Sequence, residues 1–254
     1  MPELLEVREV GVRFSGIVAL DDLSFTIGEG EICGLIGPNG AGKTTLFNVV
    51  SRLYEPTSGS LWFGGQDLAT VPPHRIAAIG IARTFQNLAL FPSLTVLQNV
   101  MVGAHTKGRT NWLTGAVRLG VHKEDAALER LAYATLDELG LASIAMVPPT
   151  GLPYGTMKRI ELARALVAQP RLLMLDEPAS GLTHSEVDEL AKLIRNIRDS
   201  RRLTVLLVEH HMQMVMGISD KVVVLNFGHK LAEGTPTDVS RNPAVIEAYL
   251  GATA

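Results

Sequence analysis

Nine residues limit the choice of fold for this chain more than any other stretch: Gly37-Pro38-Asn39-Gly40-Ala41-Gly42-Lys43-Thr44-Thr45. An apolar run, Ile32-Cys33-Gly34-Leu35-Ile36, precedes them. A helix-like run, Thr45-Leu46-Phe47-Asn48-Val49-Val50, follows. The spacing is G-x-x-x-x-G-K-[ST], with which a loop between a strand and a helix wraps a row of phosphates. Gly37, Gly40 and Gly42 can take positive φ and let the backbone close on an anion. The N–H groups from Asn39 through Ala41 to Thr45, together with the helix dipole, then face that anion. Lys43 reaches the outer phosphates, and Thr44 offers its hydroxyl to Mg²⁺. The chain is therefore expected to bind a nucleoside triphosphate with its metal.

The remaining elements suit such a loop. Arg171 to Glu177 is a continuous apolar run ending in two carboxylates, and Leu203 to Val208 reads as a second buried strand, ending at Glu209-His210-His211. Continuous rather than alternating apolarity indicates parallel strands buried on both faces. Helical patterns alternate with these runs, which predicts a mainly parallel sheet with helices on both faces. At the start, Leu4–Phe14 and Ile17–Ile27 read as two antiparallel strands joined near Ser15-Gly16. Ser60–Phe63 reads as a short strand, His74–Ile79 as a short helix, and Gly80–Gln86 as a strand ending on Gln86. From about Leu88 the chain turns helical: Leu94–Val102, an amphipathic helix over Glu124–Leu139, and Met157–Ala168, with a loop or weak helix over Lys107–Gly120. Thr183-x-x-Glu186 is a capping box that opens another helix. The last third alternates short strands (Val222–Leu225, Lys230–Ala232) with turns and closes on a helix over Pro243–Leu250.

Ligands of open parallel sheets sit at the carboxyl ends of the strands. Asp176 is thereby expected at the edge that holds Thr44, where it can ligate Mg²⁺ directly or through water. Glu177, pointing the other way, can orient or deprotonate a water. His210, at the end of another buried strand, can contact the terminal phosphate. Gln86 at a strand end can ligate the metal and the attacking water, or be a plain surface residue. Phe14 is either a ring that stacks on a nucleobase or a core aromatic.

Composition narrows the function classes. The net charge of −3 argues against general nucleic-acid binding, which needs a basic excess. The single cysteine, Cys33, lies in a predicted core strand and forms no disulfide framework, so a reducing cytosol is the expected compartment. The acidic N-terminus lacks the long apolar segment of a signal peptide. No apolar run approaches the roughly 20 residues of a membrane helix. Any work at a membrane would need other subunits to supply the spanning part.

With these residues assembled, the chain resembles, over essentially its whole length, the nucleotide-binding subunits of ABC transporters. Gly37–Thr45 resembles the Walker A loop, and Ala82-Arg83-Thr84-Phe85-Gln86 the glutamine loop. Leu152-Pro153-Tyr154-Gly155-Thr156 stands where the family carries its Leu-Ser-Gly-Gly-Gln signature. Leu172–Glu177 resembles Walker B, Ser180-Gly181-Leu182-Thr183 the D-loop, His210 the switch histidine, and Phe14 the aromatic that stacks on adenine. The resemblance implies an α/β fold: a P-loop NTPase (RecA-like) core with a mainly parallel sheet, an N-terminal antiparallel β subdomain and a helical subdomain inserted at about residues 88–168. All of this lies in one nucleotide-binding domain, 1–254. It also implies ATP and Mg²⁺ as ligands. Lys43, Thr44, Asp176, Gln86, Glu177 and His210 would serve one site, and Gly155 the ATP held by an opposing subunit.

Within the family the chain looks most like the longer of the two paralogous ATPases of branched-chain amino acid importers. Val208-Glu209-His210, Val215–Asp220, Glu233-Gly234-Thr235-Pro236 and the ending Asn242-Pro243 to Tyr249-Leu250-Gly251 support this. Importers of urea or short amides and the ATPase of lipopolysaccharide export share several of these features. Expected partners are a paralogous ATPase, two transmembrane permeases and, indirectly, a solute-binding protein, on the cytoplasmic face of the inner membrane. A soluble ABC-type ATPase without a permease usually carries two such domains or long insertions. A non-enzymatic nucleotide switch would not need both Glu177 and His210. Three departures stand out: Pro153 replaces the signature serine, Thr156 its glutamine, and Thr183 the usual D-loop aspartate or asparagine.

Overall fold

The computed structural model describes residues 2–84, 88–104 and 121–250. In chain order its strands and α-helices are β1 (Glu3–Phe14), β2 (Ile17–Gly28), β3 (Ile32–Ile36), α1 (Lys43–Val50), β4 (Ser58–Phe63), β5 (Gln66–Asp67), β6 (Ile81–Arg83), α2 (Val96–Gly103), α3 (Val121–Glu138), α4 (Tyr154–Leu166), β7 (Leu172–Asp176), α5 (His184–Arg201), β8 (Thr204–Val208), α6 (Met212–Ile218), β9 (Lys221–Asn226), β10 (His229–Gly234), α7 (Pro236–Ser240) and α8 (Pro243–Leu250). They divide into two compact units: residues up to Ile76 together with those from Arg171 on, and residues Ala77–Pro170.

The first unit contains two sheets. The antiparallel one runs β2-β1-β4-β5. Its leading hairpin closes where Phe14 pairs with Ile17 across Ser15 (φ 43°) and Gly16 (φ 91°). Two consecutive positive-φ residues form the short connection whose twist matches that of the flanking strands. The second sheet runs β10-β9-β3-β8-β7 within this unit. β7, β8, β3 and β9 are parallel, and the β9–β10 hairpin is its antiparallel margin. Every residue of β3, β7 and β8 is buried. The apolar character of these strands is continuous because both of their faces are buried. α1 buries Leu46, Phe47, Val49 and Val50, and α5 buries Val187, Leu190, Ile194 and Ile197. α6 crosses β3 at Gly34, where an added Cβ would come within 2.6 Å of Val215 Cγ1. A side chain there would push the helix off the sheet.

The second unit is mostly helical. α2 begins at Thr95 with a capping box to Gln98. It packs against α4 so closely that a Cβ on Gly103 would collide with the Arg164 carbonyl. Asn99, fully buried, holds the preceding loop: its Oδ1 accepts from Phe91 N at 2.8 Å, and its Nδ2 donates to the carbonyls of Phe91, Leu94 and Thr95. A buried side-chain amide is stable only with its hydrogen-bonding capacity filled in this way. On α3, Ala132 and Leu136 form the buried stripe, continued by Leu139 just past its end.

Several expected boundaries differ. The helix expected at His74–Ile79 is one 3₁₀ turn, Pro73–Arg75, followed by turns. Only Ile76 is buried in that stretch, so there is no apolar face to hold a helix. The strand expected to reach Gln86 is Ile81–Arg83, and residues 85–87, with Gln86, lie outside the described residues. So does the loop expected over Lys107–Gly120, apart from its place in the sequence. α4 begins at Tyr154, three residues before its expected start, with Met157 N bonding Pro153 O at 3.0 Å. Two short helices, α6 and α7, occupy a region read as strands and turns. α7 carries its own capping box, Thr235 to Asp238.

Candidate nucleotide site

The phosphate loop leaves the end of β3, and the register of the sheet decides what it faces. Val208, the last residue of β8, pairs with Leu35 on one side and with Asp176 on the other. Three parallel strands therefore finish at one edge. The segments after them are the loop 37–42, the turn from Glu177, and the turn through Glu209 and His210.

The loop is held tightly. Gly37, Gly40 and Gly42 all adopt positive φ, at 154°, 80° and 103°. At Gly37 a Cβ would collide with the Leu225 carbonyl of β9. At Gly42 it would lie 2.6 Å from Ala19 O and from Leu20 Cδ2 of β2. Gly228 N donates to Ala41 O at 3.1 Å, tying the β9–β10 turn to the loop. Ala41 is buried, whereas Asn39, Gly40 and Thr44 are exposed and Thr45 half-buried. Lys43, the first residue of α1, donates from Nζ to Gly37 O at 2.6 Å and Pro38 O at 2.9 Å. Burial lowers the pKa of its ammonium, while the carboxylates of Glu177 and Asp176 act in the opposite direction. The basic head thus sits inside its own loop and within the field of both acids.

Asp176 is buried and Glu177 half-buried. Glu177 adopts φ 47°, in the left-handed region that a non-glycine residue enters at a cost. Two hydrogen bonds hold it there: its N–H donates to Val208 O at 2.9 Å, and its carbonyl accepts from Ser180 N at 3.1 Å. The twist turns its side chain toward His210, whose Nδ1 lies 3.8 Å from Glu177 Oε1. The His210 ring stacks on His211 with centroids 5.0 Å apart. The Thr44 hydroxyl and Asp176 carboxylate are hard oxygen donors, the set that Mg²⁺ takes alongside water and phosphate oxygens. Phe14 is exposed at the hairpin turn and edge-on to Tyr54, with ring centroids 5.1 Å apart.

Two neighbours of the site were not singled out by pattern. Tyr249 of α8 approaches Gly37; burial pushes its hydroxyl up to about 12, opposed by the Gly37 backbone. Glu209 is 1% exposed at the end of β8. A carboxylate at the end of a buried strand is the available signal, since Asp176 is found in the same way. In the second unit, Gly155 is buried in the first turn of α4, with Pro153 as the N-cap. Thr183, in the first unit, uses its hydroxyl and N–H in a capping box with Glu186.

Comparison with known proteins agrees with this geometry. The family model described as "ABC transporter" matches residues 20–180, and a second, "Branched-chain amino acid ATP-binding cassette transporter", matches 229–254. The chain is 42% identical over 250 residues, 98% of each chain, to the high-affinity branched-chain amino acid transport ATP-binding protein BraF of Pseudomonas aeruginosa. It is also 42% identical, with the same coverage, to LivG of Escherichia coli K12, a protein of the same description. A solved ATP-binding cassette of an ABC transporter, in its ADP conformation, superposes with a TM-score of 0.86 at 28% identity, covering 99% of this chain and all of that one. A nucleotide-free cassette gives 0.83 at 28% identity, covering 98% and 99%. The chain belongs to the ABC transporter family, as one of the ATP-binding subunits that hydrolyse ATP to drive transport. Among the described residues no helix is long and apolar enough to cross a membrane.

Proposed function

We propose that this chain hydrolyses Mg-ATP for an importer of branched-chain amino acids, peripherally attached to the cytoplasmic face of the inner membrane. The observation that carries the hydrolytic reading is the common edge of β3, β8 and β7, with Glu177 and His210 only 3.8 Å apart beside the phosphate loop. The solute is inferred from the names of the relatives.

Lys43 and the loop amides from Asn39 to Thr45 neutralise the phosphates, and Phe14 stacks on the adenine. Thr44, Asp176 and Gln86 would hold Mg²⁺, which when bound offsets phosphate charge and orients the terminal group. Glu177 takes a proton from the attacking water, an assistance worth about 10²–10⁴-fold. His210 contacts the γ-phosphate and helps to hold Glu177 in line. Catalysis is then mainly positioning and electrostatics. The N–H groups around Gly155 serve the ATP of the opposing subunit. Pro153 brings no hydroxyl to that ATP, and Thr183 spends its own on the cap of α5. These departures favour pairing with a paralogous ATPase, with two unequal composite sites, on two permeases fed by a solute-binding protein.

Purification of the tagged chain from membranes in mild detergent tests the assembly; two permeases and a second ATPase are expected in stoichiometric amounts. Uptake of labelled leucine by cells carrying only Glu177→Gln is expected to cease. Loss of urea or amide uptake instead would reassign the solute. Recovery of soluble proteins alone would overturn the transporter reading for this chain.

A further inference from the structure

A carboxylate buried to 1% exposure needs donors, and those that reach Glu209 are backbone N–H groups. Its Oε1 accepts from Ala179 N at 2.6 Å. Its Oε2 accepts from His210 N at 3.1 Å and His211 N at 3.3 Å. One side chain thus bridges the turn that follows β7 and the turn that follows β8. Ala179 stands two residues beyond Glu177, and His210 is the next residue after Glu209 itself. Donor atoms of Glu209, His210 and His211 lie within 4.8 Å of one another, but both Glu209 oxygens are already engaged by N–H groups, which disfavours a metal there.

We infer that Glu209 is a positioning residue for ATP hydrolysis: its carboxylate fastens the two turns together and so sets Glu177, in its strained backbone conformation, against His210. The reasoning is mechanical. A positive φ at a non-glycine residue persists only where its surroundings over-determine it. The Glu177 N–H bond to Val208 O fixes one side of that residue; Glu209 fixes Ala179 on the other. Charge-assisted bonds to backbone N–H are roughly twice as strong as neutral ones. The phosphate loop, braced by Leu225, Gly228, Ala19 and Leu20, does not depend on this link. The inference rests on Glu177 and His210 acting in hydrolysis, and Glu177→Gln alone measures that.

The test is steady-state ATPase kinetics of the full chain with its partners, beside binding of a fluorescent ATP analogue. Glu209→Gln retains shape but turns an amide N–H₂ toward N–H donors. It is expected to lower kcat by about 10–100-fold, with KM and analogue affinity within about twofold. In a Glu177→Gln background the same change is expected to cost nothing further, since the group it positions is gone. Equal additional loss there, or a parallel fall in analogue affinity, would make Glu209 merely structural. A second pair of variants serves if Glu209→Gln does not fold. His211 has φ −75°, which proline can adopt. His211→Pro deletes one donor to Glu209, and His211→Ala keeps it. A kcat several-fold lower for His211→Pro than for His211→Ala, at equal KM, supports the link; equal values overturn it. If Glu177→Gln itself left kcat unchanged, the hydrolytic assignment of Glu177 would fall first, apart from anything Glu209 does.

Discussion

The ends of β7 and β8 are built alike and used differently. Each is a fully buried strand that leads to a buried carboxylate, followed by a more exposed residue able to do chemistry: Asp176 then Glu177, and Glu209 then His210. The Asp176 carboxylate lies in the field of Lys43. The Glu209 carboxylate accepts from backbone N–H groups of both turns. In our reading, one buried acid holds a ligand's metal and the other holds the protein to itself. What separates them is which donors reach them, not residue type or burial. A carboxylate in a low-dielectric setting takes the nearest donors on offer, whether ligand or backbone.

The largest expected effect concerns the residues after those acids. Glu177→Gln should lower kcat by about 10²–10⁴-fold while nucleotide binding persists, measured by phosphate release and analogue titration. Substantial residual turnover would remove Glu177 from the role of base. Next, Asp176→Asn should raise the Mg²⁺ concentration needed for half-maximal activity by about tenfold or more, whereas Glu209→Gln should leave that concentration unchanged. The same Mg²⁺ shift in both variants would erase the distinction drawn between the two strand ends. A smaller effect is expected beyond the β7 turn. Thr183→Ala removes the capping box of α5 and should cost about 1 kcal/mol of stability by thermal or denaturant unfolding, with little change in KM. A large change in activity instead would give Thr183 a part in the site.

The smallest effect belongs to β3, the third strand of this edge, whose interior is inert where its end is chemical. Burial pushes the Cys33 thiol well up, so the native chain should not react with a thiol reagent at pH 8, and unfolding should release one reactive thiol. Both states keep the proton below the ordinary thiol value of about 8.5. Above it the unfolded chain loses the proton first, so this group's contribution to stability should fall as pH rises through that range. Rapid native labelling would mean that the strand opens far more readily than its complete burial implies.

Much was legible before any coordinates. Gly37 to Thr45, the apolar runs into Asp176 and His210, and the Thr183–Glu186 box announce their own geometry, because spacing and local chemistry decide them within a few residues. The hairpin turn at Ser15-Gly16 and the closing helix Pro243–Leu250 are of the same kind. Elements that owe their form to distant partners were not legible. α6 has seven residues, under two turns and too few for a hydrophobic periodicity to show, and its seat is an absent side chain on β3 at Gly34. The turns after Ile76 fail to become a helix for want of a buried face.

The strain at Glu177 and the work of Glu209 belong to that second group. By itself the chain's order of residues determined that a phosphate loop, two acids and a histidine would follow strands of an α/β sheet, since those patterns are local. Only the folded register, with Val208 between Leu35 and Asp176, decided that Glu177 would meet His210 and that Glu209 would face backbone rather than ligand. Residues 30 or more apart come within hydrogen-bonding distance through strand pairing, and no local spacing encodes which of their polar atoms will meet.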